Sequence, residues 1–151
     1  MKLGLLRHGE AGHASRDALR ELTPRGWLDA RRIGDLIHAR QTLPDLVWVS
    51  PLLRAQQTAE AVFHACGQPV HLKEQPLLIP EADMSALMQA LESVSGDILL
   101  VGHNPVLSEL LSLLTGQRTP MLGTANLAWL DGDRAAAGCM RLLQIDSAAD
   151  A

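Results

Sequence analysis

Two arginines and two histidines lie where apolar runs of the sequence end or a helix is predicted to begin. Arg7 and His8 follow the apolar run of residues 3–6, and His103 comes just after the apolar run of residues 98–101. Ending a buried run on a cation or an imidazole costs free energy unless those groups have partners there. Arginine donates paired hydrogen bonds that match phosphate oxygens, and a neutral imidazole can attack phosphorus. The pattern predicts an oxyanion site; the alternative is a strand that merely ends on a solvated arginine and a hydrogen-bonded histidine.

Arg54 is the fourth member of this set. Ser50 is predicted to cap a helix and Pro51 to be its first residue, which puts Arg54 in the first turn. Helix N-termini favour anions, so a cation there opposes the helix dipole unless an anion is bound as well. In such a site one histidine, when neutral, attacks phosphorus. The other, when protonated, stabilises charge on the equatorial oxygens together with the arginines.

The elements that must position these residues alternate between strand and helix. This alternation predicts parallel strands joined by right-handed crossovers, with all their carboxyl ends along one edge of a sheet. Residues far apart in the sequence should therefore converge there. The predicted strands cover residues 3–6, 46–49, 70–72 (weak, near an edge) and 98–101. The predicted helices cover residues 24–40, a segment from 51 onward, 84–94 with Asp83 as a candidate cap, and 106–114. Residues 125–130 and 139–145 predict an antiparallel C-terminal hairpin, because their connection is too short for a helix.

Composition limits the classes of function. The chain of 151 residues is expected to form a single domain over residues 1–151, and residues from 147 onward are expected to fray. Its net charge of −4, with three Trp, one Phe and no Tyr, disfavours nucleic acid and anionic membranes as partners. No transmembrane segment or signal peptide is expected, which predicts a cytoplasmic protein. Cys66 and Cys139 are expected to be buried free thiols.

Several segments resemble the signatures of the histidine phosphatase superfamily. They are LRHGE at residues 6–10, SPLLRAQQTA at residues 50–59 and VGHNP at residues 101–105, with LTPRG at residues 22–26 resembling the usual opening of the first helix. The motifs occur in the family's order over nearly the whole chain. The small size without an inserted cap is most similar to the phosphohistidine phosphatases of the SixA type. The resemblance implies a phosphoglycerate mutase-like α/β fold of three layers, with a mostly parallel central sheet and an antiparallel C-terminal hairpin.

The resemblance also implies roles for individual residues. His8 would be the nucleophile and pass through a phosphohistidine, and Arg7, Arg54 and His103 would bind the transferred phosphoryl group. No metal or cofactor is implied. Larger relatives protonate the leaving oxygen with a carboxylate after the third strand, where Glu81 and Asp83 lie here. The alternatives for these two residues are a solvated Glu81 and a helix-capping Asp83.

The function expected from these residues is a phosphatase that acts on phosphohistidine in a protein and takes part in signal transduction. A small-molecule phosphatase or sugar-phosphate mutase of the same superfamily is the second reading, although no segment is free to form a lid. A phosphoprotein-binding module is the third, but His8 and its three partners are all intact. A metallohydrolase is disfavoured because the six histidines show no cluster with ligand spacing. The sequence sets no oligomeric state, and a monomer is compatible with it.

Overall fold

The computed structural model describes residues 1–69 and 71–151, and its centre is a six-stranded sheet with the order β3-β2-β4-β1-β5-β6. The strands β1 to β4 are parallel, β5 is antiparallel to β1, and β6 is antiparallel to β5. The strands are β1 (Lys2–Arg7), β2 (Leu46–Val49), β3 (His71–Glu74), β4 (Ile98–Gly102), β5 (Leu127–Gly132) and β6 (Met140–Asp146). The mostly parallel sheet and the antiparallel hairpin are confirmed. β3 is an edge strand as predicted, while Val70, which the sequence assigned to it, lies outside the described residues.

Helices cover both faces of the sheet. They are α1 (Pro24–Ala39), α2 (Leu53–Cys66), α3 (Met84–Glu92) and α4 (Val106–Thr115). One core cluster joins α1 and α2 to the sheet, and a second joins α3 and α4 to the other face. Leu99 and Val101 point to the first cluster, and Ile98 and Leu100 to the second, because successive strand residues alternate between faces. This arrangement is the predicted three-layer architecture.

The predicted helix starts are correct for α1, α3 and α4 but wrong for α2. Thr23 caps α1 by accepting a hydrogen bond from the Gly26 N–H, and Asp83 caps α3. α2 begins at Leu53 instead of Pro51, because Leu52 is still extended and acts as the N-cap residue. None of the helices in the described ranges is long and apolar enough to cross a membrane.

Two further expectations are wrong, and both concern the C-terminal part of the chain. The last residues do not fray: Ala148–Asp150 forms a short 3-10 helix that packs against α1, and the side chain of Ala148 is buried. An ion pair between Arg40 and Asp146 also ties this end to α1. Both cysteines are free, but only Cys66 is buried, because Cys139 lies in the exposed turn before β6.

Candidate active site

His8 and His103 are brought together by the pairing of β1 with β4. Arg7 lies opposite Gly102 in the parallel register, and the His8 N–H donates to the Gly102 carbonyl over 3.0 Å. His8 follows Arg7 and His103 follows Gly102, so the two imidazole rings lie side by side. Their centroids are 5.0 Å apart and their planes are inclined by 54°. The register of two neighbouring strands therefore explains how residues 95 positions apart form one pocket.

The environment of His8 determines which ring nitrogen is free. Its Nδ1 lies 2.7 Å from the carbonyl oxygen of Gly9. A carbonyl only accepts hydrogen bonds, so Nδ1 carries the proton in the neutral ring and Nε2 keeps its lone pair. The Gly9 N–H donates to Thr58 Oγ1 over 3.0 Å, which holds the turn after β1 against α2. The ring is thereby oriented with the basic nitrogen Nε2 available for attack.

Gly9 is required by close packing. A Cβ at this position would lie 2.8 Å from the carbonyl oxygen of Gly26 in the first turn of α1. Real Cβ atoms do not approach backbone that closely, so a larger residue would push the turn away from α1. Because the Gly9 carbonyl also accepts a hydrogen bond from His8 Nδ1–H, this packing positions the nucleophile as well as the backbone.

His103 is held by Ser50, which follows β2. The Ser50 N–H donates to the Val101 carbonyl, and Ser50 Oγ lies 2.7 Å from Nε2 of the His103 ring. A hydroxyl can donate to a neutral ring and accept from a protonated one, so this contact serves both charge states. Nδ1 of His103 is buried and has no hydrogen-bond partner among the described residues.

The two arginines are anchored through only part of their guanidinium groups. Arg7 Nη1 donates to the Leu122 carbonyl over 3.1 Å, and Arg54 Nη1 donates to the Asp17 carbonyl over 2.9 Å. Arg54 Nη2 lies 3.2 Å from Oδ2 of Asp17. The Nε atoms of both arginines are buried without a partner in the described part of the chain. Unsatisfied buried donors of this kind are costly, and a bound oxyanion is the type of group that would accept from them.

Burial and the neighbouring cations keep both rings neutral in the free site. Burial lowers the pKa of His8 to about 4, with Arg54, Arg7 and Arg20 contributing and the hydrogen bond to Gly9 opposing. Burial also lowers the pKa of His103 to about 3, assisted by His8 and the arginines. A neutral His8 is the form that can attack phosphorus. A bound phosphoryl dianion would raise the pKa of His103, because an opposite charge favours the protonated ring.

The two carboxylates considered as acids, Glu81 and Asp83, are exposed and lie on the segment after β3. Oδ1 of Asp83 accepts hydrogen bonds from the N–H groups of Ser85 and Ala86, as a helix cap does. Their segment passes close to β4, since a Cβ on Gly102 would lie 3.1 Å from the Leu78 carbonyl oxygen.

Sequence reasoning missed three partners of the site residues. It treated Ser50 only as a helix cap, and it singled out neither Asp17 nor the carbonyl of Leu122. Asp17 lies in the polar loop after β1, in a 3-10 helix (Asp17–Leu19), and no local sequence signal links it to Arg54. Within residues 1–69 and 71–151, no group of three or more His, Cys, Asp or Glu side chains could hold a metal ion.

The comparisons place this chain in a known class of enzyme. The model of the histidine phosphatase superfamily (branch 1) matches residues 3–76. The chain is 31% identical over 144 residues to phosphohistidine phosphatase SixA of Escherichia coli (strain K12), an alignment that covers 91% of this chain and 89% of that protein. This chain therefore belongs to the histidine phosphatase superfamily, and it is a hydrolase.

Solved structures agree with this assignment. A structure of the protein histidine phosphatase SixA complexed with tungstate superposes with a TM-score of 0.91 at 27% identity, covering 99% of each chain. A phosphoserine phosphatase from Entamoeba histolytica, in complex with phosphoserine, has a TM-score of 0.71 at 18% identity and covers 97% of each chain. The second comparison supports the phosphoglycerate mutase-like fold alone.

Proposed function

We propose that this chain is a metal-independent phosphatase that removes the phosphoryl group from a histidine of a protein substrate. The observation that carries the proposal is the orientation of His8, whose Nδ1–H is bound by the Gly9 carbonyl. The ring is neutral and its Nε2 is free, next to two arginines and a second histidine. This is the arrangement that an attacking imidazole needs.

The other residues of the site have distinct roles in this proposal. Arg7 and Arg54 bind the phosphoryl oxygens and supply the positive charge that a metal supplies in other phosphatases. His103 takes up a proton when the dianion binds and then donates to an equatorial oxygen, with Ser50 holding the ring from behind. Water then attacks the phosphorus of phospho-His8, the P–N bond breaks, and phosphate leaves.

The chemistry of the leaving group favours phosphohistidine. An alkoxide leaving from phosphoserine needs a well-placed acid, whereas imidazole has a conjugate acid with a pKa near 6.5 and leaves readily. The candidate acids Glu81 and Asp83 are both exposed, and one of them caps a helix. The similarity to proteins named as phosphohistidine phosphatases supports the same substrate class.

We place the reaction in the cytoplasm. Both cysteines are free, which fits a reducing compartment.

A substrate panel tests the proposal, with a strong chelator present throughout. The panel contains a phosphohistidine protein, a phosphoserine peptide, a phosphotyrosine peptide and a sugar phosphate. We expect the phosphohistidine protein to be hydrolysed fastest and the chelator to have no effect. Loss of all activity in chelator, restored by zinc or magnesium, would contradict the metal-independent mechanism.

Labelling tests the nucleophile. Brief exposure to labelled substrate and an alkaline quench should leave acid-labile label on His8, and His8→Ala should lose both label and activity. His38→Ala, which changes an exposed histidine of α1, is the matched control. Normal turnover by His8→Ala would overturn the proposed mechanism.

A further inference from the structure

The carboxylate of Asp17 contacts Arg54, which we propose binds the phosphoryl group. Its Oδ2 accepts from Arg54 Nη2 over 3.2 Å, and its Oδ1 accepts from Arg20 Nη1 over 3.3 Å. The Arg54 side chain is 4% exposed, whereas the side chain of Asp17 is 62% exposed. The carboxylate therefore lies on the open side of Arg54, between the buried guanidinium and solvent.

The open side is also where the leaving group must be. In phosphoryl transfer the attacking and leaving atoms are roughly in line across phosphorus. His8 is buried and attacks from inside the pocket, so the leaving group departs outward. A phosphoryl group held by Arg54 would thus have its leaving group on the side of Arg54 that carries Asp17.

The charge of Asp17 is available to a substrate. Desolvation works to raise the pKa of Asp17, but the hydrogen bonds and positive charges of Arg20 and Arg54 together lower it, so the carboxylate is ionised at neutral pH. The charged groups facing it are Arg20 of the same loop and Arg54 of α2. Burial, His8 and Arg54 lower the pKa of His103, and the negative charge of Asp17 partly opposes that shift.

We propose that Asp17 is a catalytic residue that accepts a hydrogen bond from the free ring nitrogen of a phosphohistidine substrate. This inference rests on the function proposed above and assigns the residue that recognises the leaving imidazole. The ring leaves as neutral imidazole only when its second nitrogen is protonated. A carboxylate beside that N–H raises the pKa of the ring and so increases the reactive fraction above neutral pH.

The bonds and protons of this step balance without a further reactant. A P–N bond forms to Nε2 of His8 while the P–N bond of the substrate breaks. The electron pair of the broken bond goes to the ring nitrogen that carried phosphorus. The proton on the other ring nitrogen stays there, and Asp17 remains an ionised acceptor throughout.

Two small substrates test this role. Phosphoimidazole has a ring nitrogen that can be protonated, whereas 1-methyl-3-phosphoimidazolium carries a fixed charge and no N–H. For Asp17→Asn we expect the falling limb of the phosphoimidazole pH profile to move about one unit lower. Above pH 7.5 the variant should hydrolyse phosphoimidazole roughly tenfold more slowly than the wild type, since one pKa unit corresponds to a factor of ten. The kcat for the methylated compound should change less than about twofold.

Matched variants complete the experiment. Glu21→Gln removes the same charge from the same loop at an exposed residue and should leave both profiles unchanged. Asparagine at position 17 keeps the backbone carbonyl contact with Arg54, so the loop is retained. If Asp17→Asn loses the same activity on both substrates and the pH profile does not shift, Asp17 only holds Arg54 in place. If it hydrolyses both substrates at an unchanged or higher rate, Asp17 only competes with phosphate for Arg54. Either result overturns the inference while the proposed function stands. Failure of the wild type to hydrolyse any phosphohistidine substrate, with monoesters hydrolysed, would overturn the proposed function itself.

Discussion

Ser50 Oγ lies 2.7 Å from Nε2 of His103, although the two residues are 53 positions apart and follow different strands. The contact leaves Nδ1 of His103 buried and unpartnered within the described residues. Ser50 thus fixes the orientation of a ring that we propose binds the phosphoryl group.

Replacing Ser50 by alanine should therefore weaken catalysis without unfolding the protein. One hydrogen bond to the ring is lost, which is worth about 1 kcal/mol, and kcat/KM should fall about fivefold to tenfold. Steady-state kinetics check this, with Ser93→Ala at the exposed end of α3 as the control. An unchanged kcat/KM would show that packing alone orients His103.

Arg54→Lys should be a severe change despite keeping the charge. The planar guanidinium would be replaced by a point charge that cannot contact Asp17 and a phosphoryl oxygen with the same geometry. By analogy with the loss of one oxyanion donor, kcat/KM should fall roughly a hundredfold. Arg31→Lys, on the exposed face of α1, is the matched control. A loss of less than about threefold would mean that Arg54 is peripheral.

Acid should destabilise the protein through the two buried histidines. The pKa of His8 is lowered to about 4 and that of His103 to about 3, whereas histidine in an unfolded chain has a pKa near 6.5. The unfolded state therefore takes up protons first, so stability is retained above about pH 6.5 and is lost as the pH falls from there. Each ring should cost about 1 kcal/mol between pH 7 and pH 5.5.

Thermal unfolding at several pH values measures this effect. As the pH is lowered, the Tm of His103→Gln should fall less than the Tm of the wild type. The Tm of the control variant His38→Gln should fall as much as that of the wild type. Sulfate, a tetrahedral dianion over this range, should raise Tm more at pH 5.5 than at pH 7.5, because a bound anion favours protonated His103. If Tm falls equally with acid in the wild type and in His103→Gln, the buried His103 ring is not a cause of the acid destabilisation.

The double variant Glu81→Gln with Asp83→Asn separates the two substrate classes. Asparagine caps helices about as well as aspartate, so α3 is retained. We expect hydrolysis of a phosphoserine peptide to fall at least about tenfold and hydrolysis of a phosphohistidine protein to fall less than about threefold, because only the alkoxide needs an acid. If the wild type prefers a sugar phosphate and Glu81→Gln abolishes that activity, the small-molecule function is the correct one.

Local sequence determined the elements of this fold and the identities of the candidate site residues. Apolar runs set the strands, Thr23 and Asp83 marked two helix starts, and the alternation of strand and helix implied parallel pairing. Arg7, His8 and His103 could be chosen from residue type and position alone, because a buried cation or imidazole at a strand end needs a partner. Arg54 could be chosen because a cation in the first turn of a helix opposes the helix dipole.

Only the tertiary structure decided how these residues act on one another. The register of β1 against β4 sets the distance between the two rings, and the packing of the loop after β1 on α2 brings Asp17 to Arg54. The position of Ser50 beside His103 likewise depends on the pairing of β2 with β4. Such contacts join segments distant in the chain, so local propensity carries no signal for them. The lowered pKa values follow from the same packing, because burial and the convergence of cations exist only in the folded chain.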